Sequence, residues 1–255
     1  MMRPMIEPFY DAELAAVHEA DFTDVARSAA GVLLRRLADA GHHSGTIVDL
    51  GSGGGALAGV LVDAGYDVLG IDLSAAMVEL ARANVPGARF VQGSVWDAAL
   101  PPAVAVTAIG EVVNYAADAR AGVDQLAHLI DRVRTELAPG GVFLFDIATP
   151  GRGGPDGRRT GFTDTAAYTM HFESREATDD DGTATLERRM VLFTRDGDVY
   201  RRSDEVHHLR LYRAATVTDL LEAAGFEATM LAAYGERLLP SGWIAIAATV
   251  PATAS

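Results

Sequence analysis

The densest group of chemically distinctive residues is Asp49-Leu50-Gly51-Ser52-Gly53-Gly54-Gly55-Ala56, between a short apolar run ending at Leu50 and a helix-like run, GALAGVLVDAG. Glycines let the backbone turn tightly and approach a ligand, and the start of the following helix offers unpaired N–H groups to an anionic end. Gly51, Gly53 and Ala56 satisfy the dinucleotide pattern G-x-G-x-x-G/A, and Asp72 follows at about the spacing of a ribose-binding acid. Taken alone, that pattern points to NAD. A second group follows the fourth and fifth expected strands: Ile109, Gly110, Glu111, Asn114 and Tyr115, then Asp146. Ligands of open α/β sheets sit beyond the carboxyl ends of the strands, which makes Glu111 the candidate proton acceptor and Tyr115 or Asn114 the residue orienting a substrate. The competing reading makes Glu111 a helix cap and Tyr115 a core side chain.

Several chemistries are excluded by what the chain lacks. All 21 cations are arginine, so Schiff-base catalysis and a phosphate-binding lysine are ruled out, and the absence of cysteine removes thiol nucleophiles and Cys-based zinc sites. No metal site is expected: His42-His43 follow a helix stop, His207-His208 on a strand point to opposite faces, and there is no H-x-x-x-H. The run Asp179-Asp180-Asp181 reads as a solvated turn, since the spaced ligands of a calcium loop are missing. A net charge of -14 repels phosphate backbones, so nucleic acid is not an expected partner. Apolar runs too short for a membrane span, and an N-terminus without a signal-peptide core, make a cytoplasmic protein the expectation.

The elements that must position these residues are legible from period. Val25, Ala29, Val32, Leu33 and Leu37 give a helix from Asp24 to Ala40 stopped by Gly41. From Thr46, short apolar runs alternate with amphipathic segments in two successive βαβ units, and Ser74 is placed to cap the second helix. VAVTAIGEVV predicts a strand leading into a loop, Asp118 to Leu137 a helix ended by Pro139-Gly140-Gly141, and GVFLFDIA a fifth buried strand. PGRGGPDGRRTG has no periodicity and reads as a surface loop. Beyond it, YTMHFESREA, ATLERRMVLFTR and DVYRRSDEVHHLRLY alternate with period two and are separated by Asp-Gly turns, which predicts a three-stranded antiparallel meander. On its strand DVYRRSDEVHHLRLY, Glu205, His207, Leu209 and Leu211 share one face, and His208, Arg210 and Tyr212 the other. TVTDLLEAAGF restores a helix, and EATMLAAY and WIAIAATV pair as a terminal hairpin. The fold class is α/β: a Rossmann-like, seven-stranded, mostly parallel sheet with flanking helices and the inserted meander.

Beyond one motif, the chain resembles the class I S-adenosylmethionine-dependent methyltransferases of the bacterial small-molecule type. Asp49, Gly51, Gly53 and Gly55 fit that family's acid-x-G-x-G-x-G pattern, GIDLSAAMVELAR looks like its ribose-binding segment, and FVQGSVWD resembles its adenine-contacting loop. LAPGGVFLFD resembles the family's fifth strand, WIAIAATV its antiparallel seventh, and the insert resembles that of amino-sugar N,N-dimethyltransferases. The resemblance implies S-adenosyl-L-methionine as cofactor and a small-molecule methyl acceptor reacting at N or O, with the protein a monomer or homodimer. It implies that Asp49 and the glycines hold the methionine end and that Asp72 accepts from both ribose hydroxyls, with Leu73, Met77, Ser94, Val95, Trp96 and Ile109 also expected to bind the cofactor. Such enzymes commonly carry an acid where this chain has Ser94, so either Ser94 with the Val95 backbone or Asp97 makes that contact; Trp96 is a stacking surface or ordinary core. By the same resemblance residues 1–45 form a helical lid carrying Phe9, Tyr10, His18 and Phe22, with Tyr10 at the cofactor and His18 a further catalytic candidate; residues 46–150 and 214–255 form the cofactor-binding core; and residues 151–213 form a wall of the substrate pocket. An NAD-linked oxidoreductase and a non-catalytic cofactor-binding protein are the alternatives.

Overall fold

The computed structural model describes residues 12–180 and 182–252, with side chains from Thr23 onward. Helix α1 (Ala12–Asp39) starts twelve residues before the expected Asp24 and buries Val25, Ala29, Val32, Leu33 and Leu37, the stripe its spacing predicts. Two βαβ units follow: β1 (Thr46–Leu50), α2 (Ala56–Asp63), β2 (Asp67–Asp72), α3 (Ala75–Asn84) and β3 (Arg89–Gln92). Ser74 caps α3 as expected, its Oγ accepting from the Met77 amide at 3.3 Å. Then come β4 (Ala103–Ala108), a 3-10 turn (Val112–Asn114), α4 (Val123–Glu136) and β5 (Leu137–Ala148). Helix α4 begins five residues later than Asp118, because Asp118 and Arg120 pair with each other and with Ser94 and Asp97.

The insert has four strands rather than three: β6 (Arg158–Asp164), β7 (Tyr168–Thr178), β8 (Ala184–Asp196) and β9 (Val199–Arg210), in that order across one antiparallel sheet. Strand β6 begins within the last four residues of the stretch expected to be loop. Its sequence, RRTGFTD, hides the alternation because Gly161 stands where an inward apolar side chain would be, and the Phe172 ring of β7 fills that space instead. The chain then returns through α5 (Ala214–Ala223), β10 (Glu227–Leu231), a small hairpin of β11 (Ala233–Tyr234) and β12 (Arg237–Leu238), and β13 (Trp243–Thr249).

The main sheet has seven strands in the order β10-β13-β5-β4-β1-β2-β3, with β13 antiparallel to both neighbours and β10 paired to it as a hairpin. Its central strands are buried on both faces: Val142 and Leu144 of β5 pack with α1 and α2, while Phe143 and Phe145 face the side of α4 and α5. The rings of Phe143 and Phe145 stack at 4.3 Å. Such a pair adds about 0.5–1.5 kcal/mol to the area it buries. No described helix is long and apolar enough to cross a membrane.

A side chain at Gly161 would place its Cβ 2.1 Å from the Phe172 ring. Gly161→Ala should therefore cost about 1–3 kcal/mol in urea denaturation, the opposite sign to the usual gain from alanine in a strand, and Phe172→Leu should relieve most of it in the double variant. Additive costs would show that the ring does not lean on Gly161.

Candidate active site

The glycine loop is stitched to β2. Gly51, Gly53 and Gly55 all adopt left-handed φ (67°, 52° and 91°), and a Cβ on Gly51 would lie 2.5 Å from Val112, so the loop needs glycine there for both turn and approach. The sequence suggested amides open to an anion, but four of them are taken within the protein. Gly51 N–H and Ser52 N–H donate to the Ile71 carbonyl at 2.7 and 3.1 Å, Gly55 N–H donates to Ser52 O at 3.0 Å, and Gly53 N–H donates to Asp72 Oδ2 at 2.9 Å. Ser74 N–H takes Asp72 Oδ1 at 2.8 Å, so two amides lock the plane of this buried carboxylate. Burial raises the Asp72 carboxyl, while these amide hydrogen bonds pull it down.

A cleft opens at the carboxyl ends of β1, β2, β3 and β4, holding about 900 Å³ with its mouth included. Asp49, Gly51, Gly53, Asp72, Leu73, Met77, Ser94, Val95, Trp96 and Ile109 line it, as does Tyr115. That set holds ten of the cofactor-binding residues the sequence nominated, together with one of its catalytic candidates. Trp96 is both wall and core: only 6% exposed, it packs with Val106 and Leu126 behind the cleft. Asp49 is buried at the bottom, its Oδ1 accepting from Thr107 Oγ1 at 2.7 Å. The charged residues lining the cleft are Asp49, Asp72 and Asp118; no arginine or histidine joins them among the described residues.

Gly55 does not line the cleft. It starts α2 and lets that helix close on α3, where its Cβ would meet Val85 at 3.1 Å. Tyr10 lies outside the described residues; His18 falls within α1, and its side chain lies outside them.

On the acceptor side the structure corrects the role of Glu111. It is the one non-glycine with positive φ among the described residues, it is buried, and it faces away from the cleft lining. Arg152 Nε donates to its Oε1 and Arg188 Nη2 to its Oε2, the latter at 2.9 Å. Burial by itself would raise the carboxyl; the Arg188 and Arg152 charges outweigh burial and hold it below the usual range. A carboxylate held by two guanidinium groups is a weak base, so its place is in an ion-pair network rather than at a reacting proton. Asn114 is likewise spent: Nδ2 donates to Ala148 O at 2.9 Å and Arg210 O at 2.6 Å, and Oδ1 accepts from Ala148 N–H at 2.9 Å.

Asp146 sits beneath this loop. Its Oδ1 accepts from Gly110 N–H at 3.0 Å and Glu111 N–H at 2.5 Å, and its Oδ2 from Tyr234 Oη at 2.8 Å. Burial pushes its carboxyl up to about 6, against the pull of the Glu111 and Gly110 amides and the Tyr234 hydroxyl. The insert docks on the same loop: Ala116 N–H donates to His208 O at 2.8 Å, and Tyr115 forms a backbone bridge with Leu209. As alternation predicts, His207 and Glu205 point inward and His208 outward. His207 Nε2 meets Glu205 Oε2 at 2.8 Å, and its ring stands edge-on to Tyr115 with centroids 5.4 Å apart. Burial lowers the His207 pKa, so the ring is neutral near pH 7 and donates to the carboxylate. The sequence reading placed Glu205 and His207 on one face and missed their approach to Tyr115, which depends on docking two sheets. Among the described residues no group of three or more His, Asp or Glu is arranged to hold a metal ion.

The model of the methyltransferase domain family matches residues 23–231, most of the chain, and the chain belongs to that family. No curated protein sequence matches it. Solved structures share its fold at low identity. An S-adenosylmethionine-dependent methyltransferase from Clostridium acetobutylicum is 17% identical, covers 94% of this chain and 98% of its own, and has a TM-score of 0.77. CalS10, an amino pentose methyltransferase from Micromonospora echinaspora, is 22% identical over 95% of this chain and 98% of its own, with a TM-score of 0.71. The sugar N-methyltransferase KedS8 from a Streptoalloteichus species is 20% identical over 99% of each chain, also with a TM-score of 0.71.

Two outcomes follow from the buried charges. The folded chain holds the Asp146 proton more tightly than the unfolded chain, so the stability it contributes is present at low pH and is lost as pH rises through about 6. Relative to Asp146→Asn, the wild type should lose about 2–3 kcal/mol between pH 4 and pH 8, read from urea curves at each pH; a pH-independent difference would mean a carboxylate ionised throughout. Glu111→Gln leaves Arg152 and Arg188 facing a neutral amide and should cost about 3–5 kcal/mol of stability. A variant of unchanged stability that has lost turnover at neutral pH and regains it as pH rises would return Glu111 to the role of proton acceptor.

Proposed function

We propose that this protein transfers the methyl group of S-adenosylmethionine to a nitrogen or oxygen of a small molecule, and that the acceptor meets the cofactor beside Tyr115. The observation that supports the cofactor reading is the charge of the cleft: three carboxylates line it, no cation joins them among the described residues, and the amides of Gly51, Ser52, Gly53 and Gly55 are spent internally. A dinucleotide brings a pyrophosphate, which such a lining repels, whereas a ligand with a ribose diol, an ammonium and a sulfonium suits it. Asp72, fixed by two amides, presents carboxylate acceptors for the two ribose hydroxyls, and Asp49 supplies negative charge toward the amino-acid end.

When bound, S-adenosylmethionine supplies an electrophilic methyl group on sulfur. The protein then has to align an acceptor and exclude water, and displacement of this kind gains most from proximity. Tyr115 and the apolar Ile109 and Val112 border the cleft at the end of β4 and form the side on which an acceptor would be aligned. The insert sheet supports Tyr115 through Leu209 and the His207–Glu205 pair, which fits a role for residues 151–213 as one wall of the acceptor pocket. An acceptor of the amino-sugar kind is in keeping with the solved relatives that share the fold. The net charge of -14 favours such an acceptor over nucleic acid, and a cytoplasmic monomer or homodimer completes the reading.

Calorimetry with S-adenosylhomocysteine and with NADH separates the two cofactor classes: the first should bind and the second should not. Asp72→Ala removes the acceptor of both ribose hydroxyls and should weaken S-adenosylhomocysteine by about 2–4 kcal/mol. Preference for NADH, or a loss below tenfold in Asp72→Ala, would overturn the assignment; a labelled methyl donor offered with a panel of amino sugars then tests for turnover.

A further inference from the structure

We propose that the outer edge of β6 is a self-pairing surface, at which a second copy of this chain adds its own β6 in the antiparallel sense and joins the two inserts into one eight-stranded sheet. The surface is separate from the cleft, so the inference does not depend on the cofactor; it narrows the oligomeric state to a homodimer. In the insert sheet, β9 has its outer edge against the core, where Ala116 N–H donates to His208 O and Tyr115 bridges to Leu209. Strand β6 ends the sheet on the other side, and among the described residues no strand pairs with it there. An open edge presents N–H and C=O groups without strand partners, every second residue turning its pair outward. Natural sheets commonly blunt such an edge with proline, a bulge or a very short strand. Here the strand runs for seven residues in unbroken register with β7, and it contains no proline.

The side chains specify what fits against it. Arg158, Thr160, Phe162 and Asp164 share the exposed face of β6, and Arg159, Gly161 and Thr163 the half-buried one. Phe162 is 68% exposed, an apolar ring beside the open edge. The two ends of the exposed face carry opposite charge. At the start, Arg158 and Arg175 share the Glu173 carboxylate, which leaves one positive charge over. At the end stands Asp164, whose Oδ1 accepts from Thr169 Oγ1 at 2.7 Å. Two copies of β6 related by a twofold axis through Gly161 set Arg158 of each opposite Asp164 of the other, and Thr160 opposite Phe162. The two Phe162 rings then become diagonal neighbours on one face, within reach of each other across the joint. On the other face Gly161 meets Gly161, with the space above each filled by the Phe172 ring of its own copy. Neighbouring registers fit worse: an axis at Thr160 brings Asp156 opposite Asp164, and an axis at Phe162 places Arg158 opposite Ala166, beyond the end of the strand.

One strand pair is a small interface, so the dimer should form reversibly with concentration. In sedimentation velocity the wild type should pass from monomer to dimer between about 1 and 200 μM at low salt, and added salt should favour the monomer by screening the exposed ion pairs. Arg158→Asp and Asp164→Arg each set like charges opposite each other at both ends of the joint, and each should raise the dissociation constant by about tenfold or more. Both positions are exposed, so each variant should keep the circular dichroism spectrum of the wild type. An equimolar mixture of the two variants has opposite charges facing at both ends again, and it should form a heterodimer with a dissociation constant within about threefold of the wild type. Misfolded chains would not regain association on mixing, so this arm separates loss of the surface from loss of the fold. A wild type that stays monomeric throughout, a dimer that both single variants leave intact, or a mixture of folded variants that stays monomeric would each overturn the proposal.

Discussion

The loop between β4 and α4 must leave the carboxyl end of a central strand, form one side of the cleft and meet the insert, and Asp146 makes that path possible. Glu111 pays for its left-handed backbone with conformational strain, and the Asp146 carboxylate offsets it by accepting from the amides of Gly110 and Glu111. The same carboxylate takes the Tyr234 hydroxyl from the hairpin before β13, so one buried group ties β5, the cleft loop and the terminal hairpin together. The backbone turn then directs the Glu111 side chain to Arg152 and Arg188 of the insert.

A second consequence is that the insert is fastened to the core at the point where chemistry is proposed. Asn114 bonds the end of β5 and the end of β9, Tyr212 Oη donates to Val113 O at 3.2 Å, and Tyr115 pairs with Leu209 through the backbone. Buried polar groups with complete sets of partners rigidify what they join, because any displacement leaves several of them unsatisfied at once. The aromatic ring of Tyr115 is therefore placed by two sheets rather than by its own turn.

The electrostatics divide the molecule into two regions with different jobs. The cleft is lined by carboxylates fixed by amides, a threonine hydroxyl or an arginine, which suits a cationic ligand. The seam between core and insert instead pairs its polar groups internally, with Glu111 in ion pairs to Arg152 and Arg188 and the neutral His207 ring hydrogen-bonded to Glu205. Groups of the second kind hold geometry, and groups of the first kind offer themselves to a ligand.

Period and local chemistry determined much of this protein before any coordinate. The two βαβ units, the hairpin closing the sheet, the Ser74 cap, the inward face of β9, and Asp72 and the glycines at one cleft follow from residues close together in the chain. Hydrophobic period and turn residues act over a few positions, which is why they can be read there. What needed the tertiary structure were the pairings across long separations. Strand β6 was invisible because Phe172 supplies the side chain that Gly161 lacks; Glu111 looked like a base because the guanidinium groups of Arg152 and Arg188 are 41 and 77 residues away; and Asp118 looked like the start of a helix because its partner Ser94 lies 24 residues earlier. A side chain's protonation and role depend on what desolvates it and what charge stands beside it, and only the folded packing brings those neighbours within reach.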